Sequence, residues 1–205
     1  PDAGRVRFRG RDITSLPPYR IFQRGLVRTF QIPREHHSMT VLENLMLVPH
    51  GQAGERLWNA WIRPGAVRRE EERHLEKALE VLGFVDLEHM AWEPAGKLSG
   101  GQKKLLELAR TLMADPAMIL LDEPGAGINR TLMQRLTENI EVLRRERGIT
   151  FLLIEHDMDL VMSLCDPVIV MSEGRHLMEG TPDEVRTDRR VLEAYLGGQY
   201  AAAEG

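Results

Sequence analysis

Met118-Ile119-Leu120-Leu121-Asp122-Glu123-Pro124 is an apolar run that ends in two carboxylates and a proline. A short apolar run bounded by turn signals reads as a strand buried on both faces, as in parallel sheets. Working outward, Pro116 closes what precedes it, and beyond it strand and helix alternate. The pattern predicts a strand over Ala117 to Leu121, a long helix over Arg130 to Arg147 and a second strand over Thr150 to Ile154. Two buried strands joined by a helix predict parallel pairing in an α/β sheet. Ligands of such sheets bind at the carboxyl edge, where Asp122 and Glu123 emerge. Further on, the pattern predicts a helix from about Asp157, a strand over Pro167 to Met171 and a hairpin at Glu173-Gly174-Arg175. Two short helices near 182–187 and 188–196 follow, and the tail Gly197 to Gly205 is small and polar enough to fray.

Upstream, Leu26-Val27-Arg28-Thr29-Phe30-Gln31 reads as a strand with a polar exit. Before it, Pro17-Pro18 opens a helical turn that Gly25 closes, and Arg5 to Arg9 alternates as a strand does. From Met39 to Ala114 the character is helical. Thr40-Val41-Leu42-Glu43 has the form of a capping box, and Val67 to Leu82 places Leu75, Leu79 and Leu82 on one face. A chain that opens on a turn within a strand pattern is expected to be part of a longer one.

At 205 residues, with 28% charged and 42% apolar residues, the composition is that of a globular protein with one core and room for a subdomain. The net charge of −4 gives no reason to expect a nucleic-acid partner. No apolar run approaches the ~20 residues that span a bilayer, so a membrane role is expected to pass through a partner. Cys165 is the single cysteine, which excludes an internal disulfide and is read as a small buried hydrophobe.

Asp122 is of the type that holds a hydrated Mg²⁺, and Glu123 of the type that orients or deprotonates an attacking water. A solvated strand end is the plain alternative. Pro124 and the turn Gly125-Ala126-Gly127 favour the first reading, because they force the chain away and leave the acids exposed. Twenty residues upstream, Leu98-Ser99-Gly100-Gly101-Gln102 precedes a helix. Unpaired N–H groups at a helix start, with no side chains in the way, attract an anion. An N-cap serine followed by two turn glycines explains the same letters. His156, in Glu155-His156-Asp157, lies at a second polar strand exit and could donate to a terminal phosphate. Gln31 at its own strand exit is a candidate water or metal contact.

In this order, Gln31, Leu98 to Gln102, Asp122-Glu123 and His156 resemble the ATP-binding cassette (ABC) ATPases, over nearly the whole chain and with the five-residue signature verbatim. The resemblance implies an α/β, P-loop NTPase-like (RecA-like) parallel sheet core with an inserted α-helical subdomain. It makes Gln31 the Q-loop glutamine and a metal contact, Asp122 the Walker B aspartate, Glu123 the catalytic base and His156 the switch histidine. Ser99, Gly100, Gly101 and Gln102 become the nucleotide-binding signature, and Gly125 to Asn129 the loop that crosses to a partner cassette. The implied substrate and cofactor are ATP and Mg²⁺. Val27-Arg28-Thr29-Phe30-Gln31, Ile154-Glu155-His156-Asp157-Met158 and Ala194-Tyr195-Leu196-Gly197 resemble the branched-chain amino acid importers within that family.

That likeness implies a second ATPase subunit, identical or not, two transmembrane permease subunits and, indirectly, a substrate-binding protein. It implies the cytoplasmic face of a bacterial inner membrane as the location. The expected organisation is 1–31 as part of the catalytic subdomain, 32–114 as the helical signature subdomain, 115–180 as the catalytic α/β part and 181–205 as terminal helices and tail. The Gly-x-x-x-x-Gly-Lys-Ser/Thr phosphate loop occurs nowhere in the 205 residues, so the core is expected to lack that portion and these residues alone to be poorly active. Gly96-Lys97-Leu98-Ser99 lacks the upstream glycine and is no substitute. Alternatives are a degenerate regulatory cassette supplying only a signature half-site, a urea or lipopolysaccharide-export cassette, and a soluble cassette acting on ribosomes or DNA.

Three features have plainer readings. Arg68 to Lys77 is a mixed charge run read as a solvated helix face laced with i,i+4 pairs. Trp58 and Trp61 are read as helix packing before contact with a membrane subunit. His36-His37 lacks further ligands at metal spacing, so zinc is not expected.

Overall fold

The structure, a computed structural model, describes residues 3–29, 34–55 and 57–195. It divides into two compact units, Pro1–Ile154 and Glu155–Gly205.

In the first unit the elements run β1 (Arg7–Phe8), β2 (Arg11–Asp12), α1 (Pro18–Phe22), β3 (Leu26–Arg28), α2 (Val41–Met46), α3 (Leu57–Ile62), α4 (Pro64–Phe84), α5 (Gly100–Leu112), β4 (Met118–Asp122), α6 (Arg130–Arg147) and β5 (Thr150–Ile154). The strand predicted over 5–9 is cut to β1, because Arg9 and Gly10, both at positive φ, fold the chain back into β2. Pro18 sits at the first position of α1, where its missing N–H costs nothing. At Gly25, φ is +84°, and an added Cβ would lie 3.1 Å from the Ala117 nitrogen. This close approach lets the Gly25 carbonyl accept from the N–H groups of both Ala117 and Met118, setting the start of β4 against β3.

β3, β4 and β5 form one parallel sheet in that order, with Arg28 beside Leu120 and Asp122 beside Ile154. α6 occupies the predicted Arg130 to Arg147, with Asn129 as N-cap and left-handed Gly148 ending it. Its Leu136, Ile140 and Leu143 are buried. β5 has only β4 as a partner among the described residues, and its Leu152 and Ile154 are exposed. The helical part packs α2 on α4 and α5, burying Leu45, Leu82, Leu106 and Leu108 almost completely. The predicted capping box at Thr40 and Glu43 forms.

In the mixed charge run of α4, Arg68 makes an i,i+4 pair with Glu72, but two other side chains reach beyond the helix. Glu70 accepts from the Ala53 N–H at 2.8 Å, and Lys77 donates to the Met113 carbonyl and pairs with Asp115. The tryptophans overturn the packing expectation: Trp58 is 76% and Trp61 89% exposed. α3 is short, and position 58 and the pair 61–62 lie together on an exposed face.

In the second unit α7 (Met158–Leu164) is followed by the antiparallel pair β6 (Val168–Ser172) and β7 (Arg175–Gly180), then α8 (Pro182–Thr187) and a helical run at 189–195. β6 starts one residue later than predicted, since Pro167 has no N–H for a ladder. Val168, Val185 and Val191 form its core with Met158, Met162, Cys165 and Met178 around them. Cys165 is half-buried there, and burial pushes its thiol up. The expected fraying tail, 197–205, lies outside the described residues.

Candidate functional site

The carboxyl edge of the three-stranded sheet gathers charged groups. Asp122 is the last residue of β4, its side chain 16% exposed, and its Oδ2 accepts from Arg28 Nη2 at 2.6 Å. The register makes this contact unavoidable: Arg28 ends β3 beside Leu120, two residues before Asp122. Thr29 then continues the ladder, donating its N–H to the Leu120 carbonyl at 2.9 Å. Glu123 turns the chain out of the sheet. Its φ is +46°, a left-handed backbone that costs a non-glycine residue about 1–2 kcal/mol. Its N–H donates to the Ile154 carbonyl at 2.9 Å, so the turn is anchored on the end of β5.

The second anchor comes from the helix that the glycine motif opens. Lys104, in the first turn and a half of α5, donates from Nζ to the carbonyls of Glu123 at 3.0 Å and Pro124 at 3.1 Å. The helix start and the acid turn, twenty residues apart in sequence, are therefore one structure. Sequence reasoning missed Lys104. Its only signal is a lysine directly behind the glycine motif, and lysines there are ordinary on a solvated helix.

At the helix start, Ser99 is the N-cap and forms a capping box: its Oγ accepts from the Gln102 N–H at 3.3 Å, and Gln102 Oε1 accepts from the Ser99 N–H at 3.0 Å. The plain reading of these letters is thus realised, and it uses the Gln102 side chain. It does not bury the motif: Ser99 and Gly100 are exposed. The N–H groups of Gly100 and Gly101 belong to those a helix leaves without an intrahelical acceptor. The two glycines differ. A Cβ on Gly100 would meet nothing within 4 Å, whereas one on Gly101 would lie 1.9 Å from Leu132 Cδ2 of α6. Gly101 is small because a neighbouring helix passes it; Gly100 faces open space.

Behind this face a buried ion pair ties the segment after the undescribed 30–33 to α5. Glu35, its side chain 3% exposed, is 2.7 Å from Lys103 Nζ and 3.1 Å from His37 Nδ1. Burial opposes its charge, but the Lys103 hydrogen bond, a backbone hydrogen bond and the charges of Lys103 and His37 together outweigh that and hold the Glu35 carboxyl below its ordinary range. Asn44, wholly buried on α2, fixes the same segment: Nδ2 donates to the His36 and Thr40 carbonyls and Oδ1 accepts from the His36 N–H.

Gln31 lies outside the described residues. His156 belongs to the second unit, exposed, with its N–H donating to Glu155 Oε2 at 3.2 Å. Asp157 beside it caps α7 by accepting from Asp159 and Leu160. Of the predicted set, the structure joins Asp122, Glu123 and the start of α5 within one unit.

A Mg²⁺ ion suits this donor set. It is held by one or two carboxylates, with water and phosphate oxygens completing its shell. Arg28 takes only Oδ2 of Asp122. The cavity beside Asp122, lined by Thr29, Lys104, Glu107 and Pro124, holds about 20 Å³ and admits a water, not a nucleotide. A larger ligand would lie on the open face.

The ABC transporter family matches residues 1–126, and the branched-chain amino acid ATP-binding cassette transporter family matches residues 175–201. The chain is 42% identical over 203 residues to a probable branched-chain amino acid transport ATP-binding protein of Archaeoglobus fulgidus, covering 99% of this chain and 77% of that one. It is 40% identical over 197 residues to a high-affinity branched-chain amino acid transport ATP-binding protein of Pseudomonas aeruginosa, covering 96% and 77%. Among solved structures it is similar to an ATP-binding cassette of an ABC transporter in its ADP conformation, with TM-score 0.75 and 38% identity over 96% of this chain and 78% of that one.

Proposed function

We propose, since this chain belongs to the ABC transporter family of ATP-binding cassettes, that it is the ATP-hydrolysing subunit of an importer for branched-chain amino acids. The observation that carries the reading is the acid turn Asp122-Glu123 tethered by Lys104 to an exposed, glycine-opened helix start. Its finer part, the solute, rests on the relatives' names and on the match at 175–201.

ATP is the substrate. One protomer's open face cannot surround a triphosphate, so a second protomer supplies the missing side. The Ser99 hydroxyl and the N–H groups at Gly100 and Gly101 of one subunit close on the γ-phosphate held by the other, which the positive end of α5 favours. Glu123 accepts a proton from the attacking water and sets it in line, and His156 donates to a γ-phosphate oxygen. Asp122 with Gln31 would hold a Mg²⁺ ion, which would supply charge neutralisation at the phosphates. Closure excludes bulk water, and hydrolysis lets the pair reopen. The helical segment 32–114 passes that motion to two permease subunits at the cytoplasmic face of the inner membrane, with a substrate-binding protein beyond them and no nucleic acid involved.

The test is assembly. In a protein carrying these residues together with the phosphate loop, a non-hydrolysable ATP analogue should drive dimer formation in analytical ultracentrifugation. Ser99→Glu sets a carboxylate against the γ-phosphate and should weaken that dimer at least about tenfold. A variant that dimerises as well as its parent removes the signature from the shared site.

A further inference from the structure

One exposed face sets large apolar side chains beside arginines. Residues 56–69 read Arg56-Leu57-Trp58-Asn59-Ala60-Trp61-Ile62-Arg63-Pro64-Gly65-Ala66-Val67-Arg68-Arg69, with four arginines and no acid in a chain whose net charge is −4. α3 lies within it. Trp58, Trp61 and Ile62, at the i, i+3, i+4 spacing of one helix face, are 76%, 89% and 70% exposed. Large apolar side chains grouped on one exposed face mark an interaction surface. Arg63, Arg68 and Arg69 are exposed around it.

Of the acids that follow this stretch, Glu70 and Glu72 are engaged within the molecule and Glu71 is exposed. Glu70 is held by the Ala53 N–H and Glu72 by Arg68, which stands on the surface as an i,i+4 partner. The Glu70 contact also fixes the segment before α3 to α4, so the tryptophan face is presented from a framed element. The chemistry of the patch selects its partner. Tryptophan is amphipathic and settles at the headgroup level of a bilayer, and arginine pairs with lipid phosphate. A protein surface complementary to the exposed arginines would have to bring its own acids. An anionic lipid surface supplies the negative charge and an apolar layer together.

We propose that α3 and the start of α4 dock on the surface of an anionic lipid bilayer, with Trp58, Trp61 and Ile62 entering the headgroup layer and Arg63 and Arg69 facing lipid phosphates. The contact lies in the membrane plane; no helix among the described residues is long and apolar enough to cross. It depends on none of the groups assigned to ATP chemistry, so either reading survives failure of the other.

The experiment is co-flotation of the 205-residue chain with phosphatidylcholine vesicles, with and without phosphatidylglycerol. Binding should require phosphatidylglycerol and weaken as salt is added. Trp58→Ser with Trp61→Ser should lower the partition coefficient at least about tenfold, and Arg63→Gln roughly fivefold. These side chains are exposed, so circular dichroism should be unchanged. A second measurement leaves the pair intact: in Trp92→Phe, the emission of Trp58 and Trp61 should be quenched by lipids brominated near the headgroup. Absence of binding to phosphatidylglycerol vesicles, or equal binding after loss of both tryptophans, overturns the proposal. So does shielding of the pair by purified permease, or by a second copy of the chain, when vesicles give no quenching.

Discussion

Glu123→Gln is expected to lower ATP turnover by about 10²–10⁴-fold, the range lost with a general base, and to leave ATP binding unchanged. The setting is a protein that carries the phosphate loop together with these residues. The substitution removes the ability to take a proton and keeps two anchors of the turn that are main-chain groups. The N–H of residue 123 still reaches the Ile154 carbonyl, and its carbonyl still receives Lys104. Phosphate release measured in steady state, beside equilibrium binding of a fluorescent ATP analogue, separates the two effects. Turnover close to the parent's would assign the base elsewhere. The 205 residues by themselves contain no loop lysine for the β- and γ-phosphates, so their own turnover should be close to background. A rate typical of a cassette would show the loop to be dispensable.

The second large effect concerns stability. Lys103→Met leaves Glu35 buried with only His37 beside it, and one of its oxygens, Oε2, already lacks a hydrogen-bond partner. Breaking a buried pair from one side costs about 3 kcal/mol. The pH dependence has a definite sign. The carboxyl of Glu35 is lowered in the folded state, so it adds stability above the ordinary carboxylate range and loses that contribution as pH falls through the lowered value. With Lys103 gone, burial is opposed by only the backbone hydrogen bond and His37, so the carboxyl should rise and the variant's deficit should be full at neutral pH and shrink on acidification. Urea denaturation at neutral pH and near pH 4 tests this. Glu35→Gln, which removes the charge with little change of shape, should cost less. A Lys103→Met deficit of equal size at both pH values would mean that lost packing, not the ion pair, accounts for it.

Much of the fold was legible because local signals agreed with one another. The helix over Arg130 to Arg147 begins at an asparagine cap and ends at a glycine, and the strand over Thr150 to Ile154 follows directly. The capping box at Thr40 is readable as letters and present as hydrogen bonds. What escaped was whatever depends on neighbours distant in sequence. Arg28 looks like any charged residue near a strand end until the register sets it beside Leu120, two residues from Asp122. Lys103 and Lys104 are adjacent and alike in sequence, yet one neutralises Glu35 and the other binds the acid turn. Asn44 inside an apolar helix face could have been suspected from its position. Its partners in the segment 36–40 could not.

The signature letters carried two meanings, and the structure separates them. Ser99 and Gln102 cap the helix, Gly101 makes room for Leu132, and Gly100 faces open space. The tryptophans failed the reading for the opposite reason. Their helical spacing suits a packed face, and only tertiary structure reveals that α3 turns that face outward.

Lys104 grips the main-chain oxygens of Glu123 and Pro124, and that hold is blind to which side chains occupy the turn. Chemistry at position 123 can be altered, silenced or labelled without slackening the strut between helix and loop. The converse also holds: trimming Lys104 would loosen that strut while every reacting group stays in place, separating a mechanical defect from a chemical one.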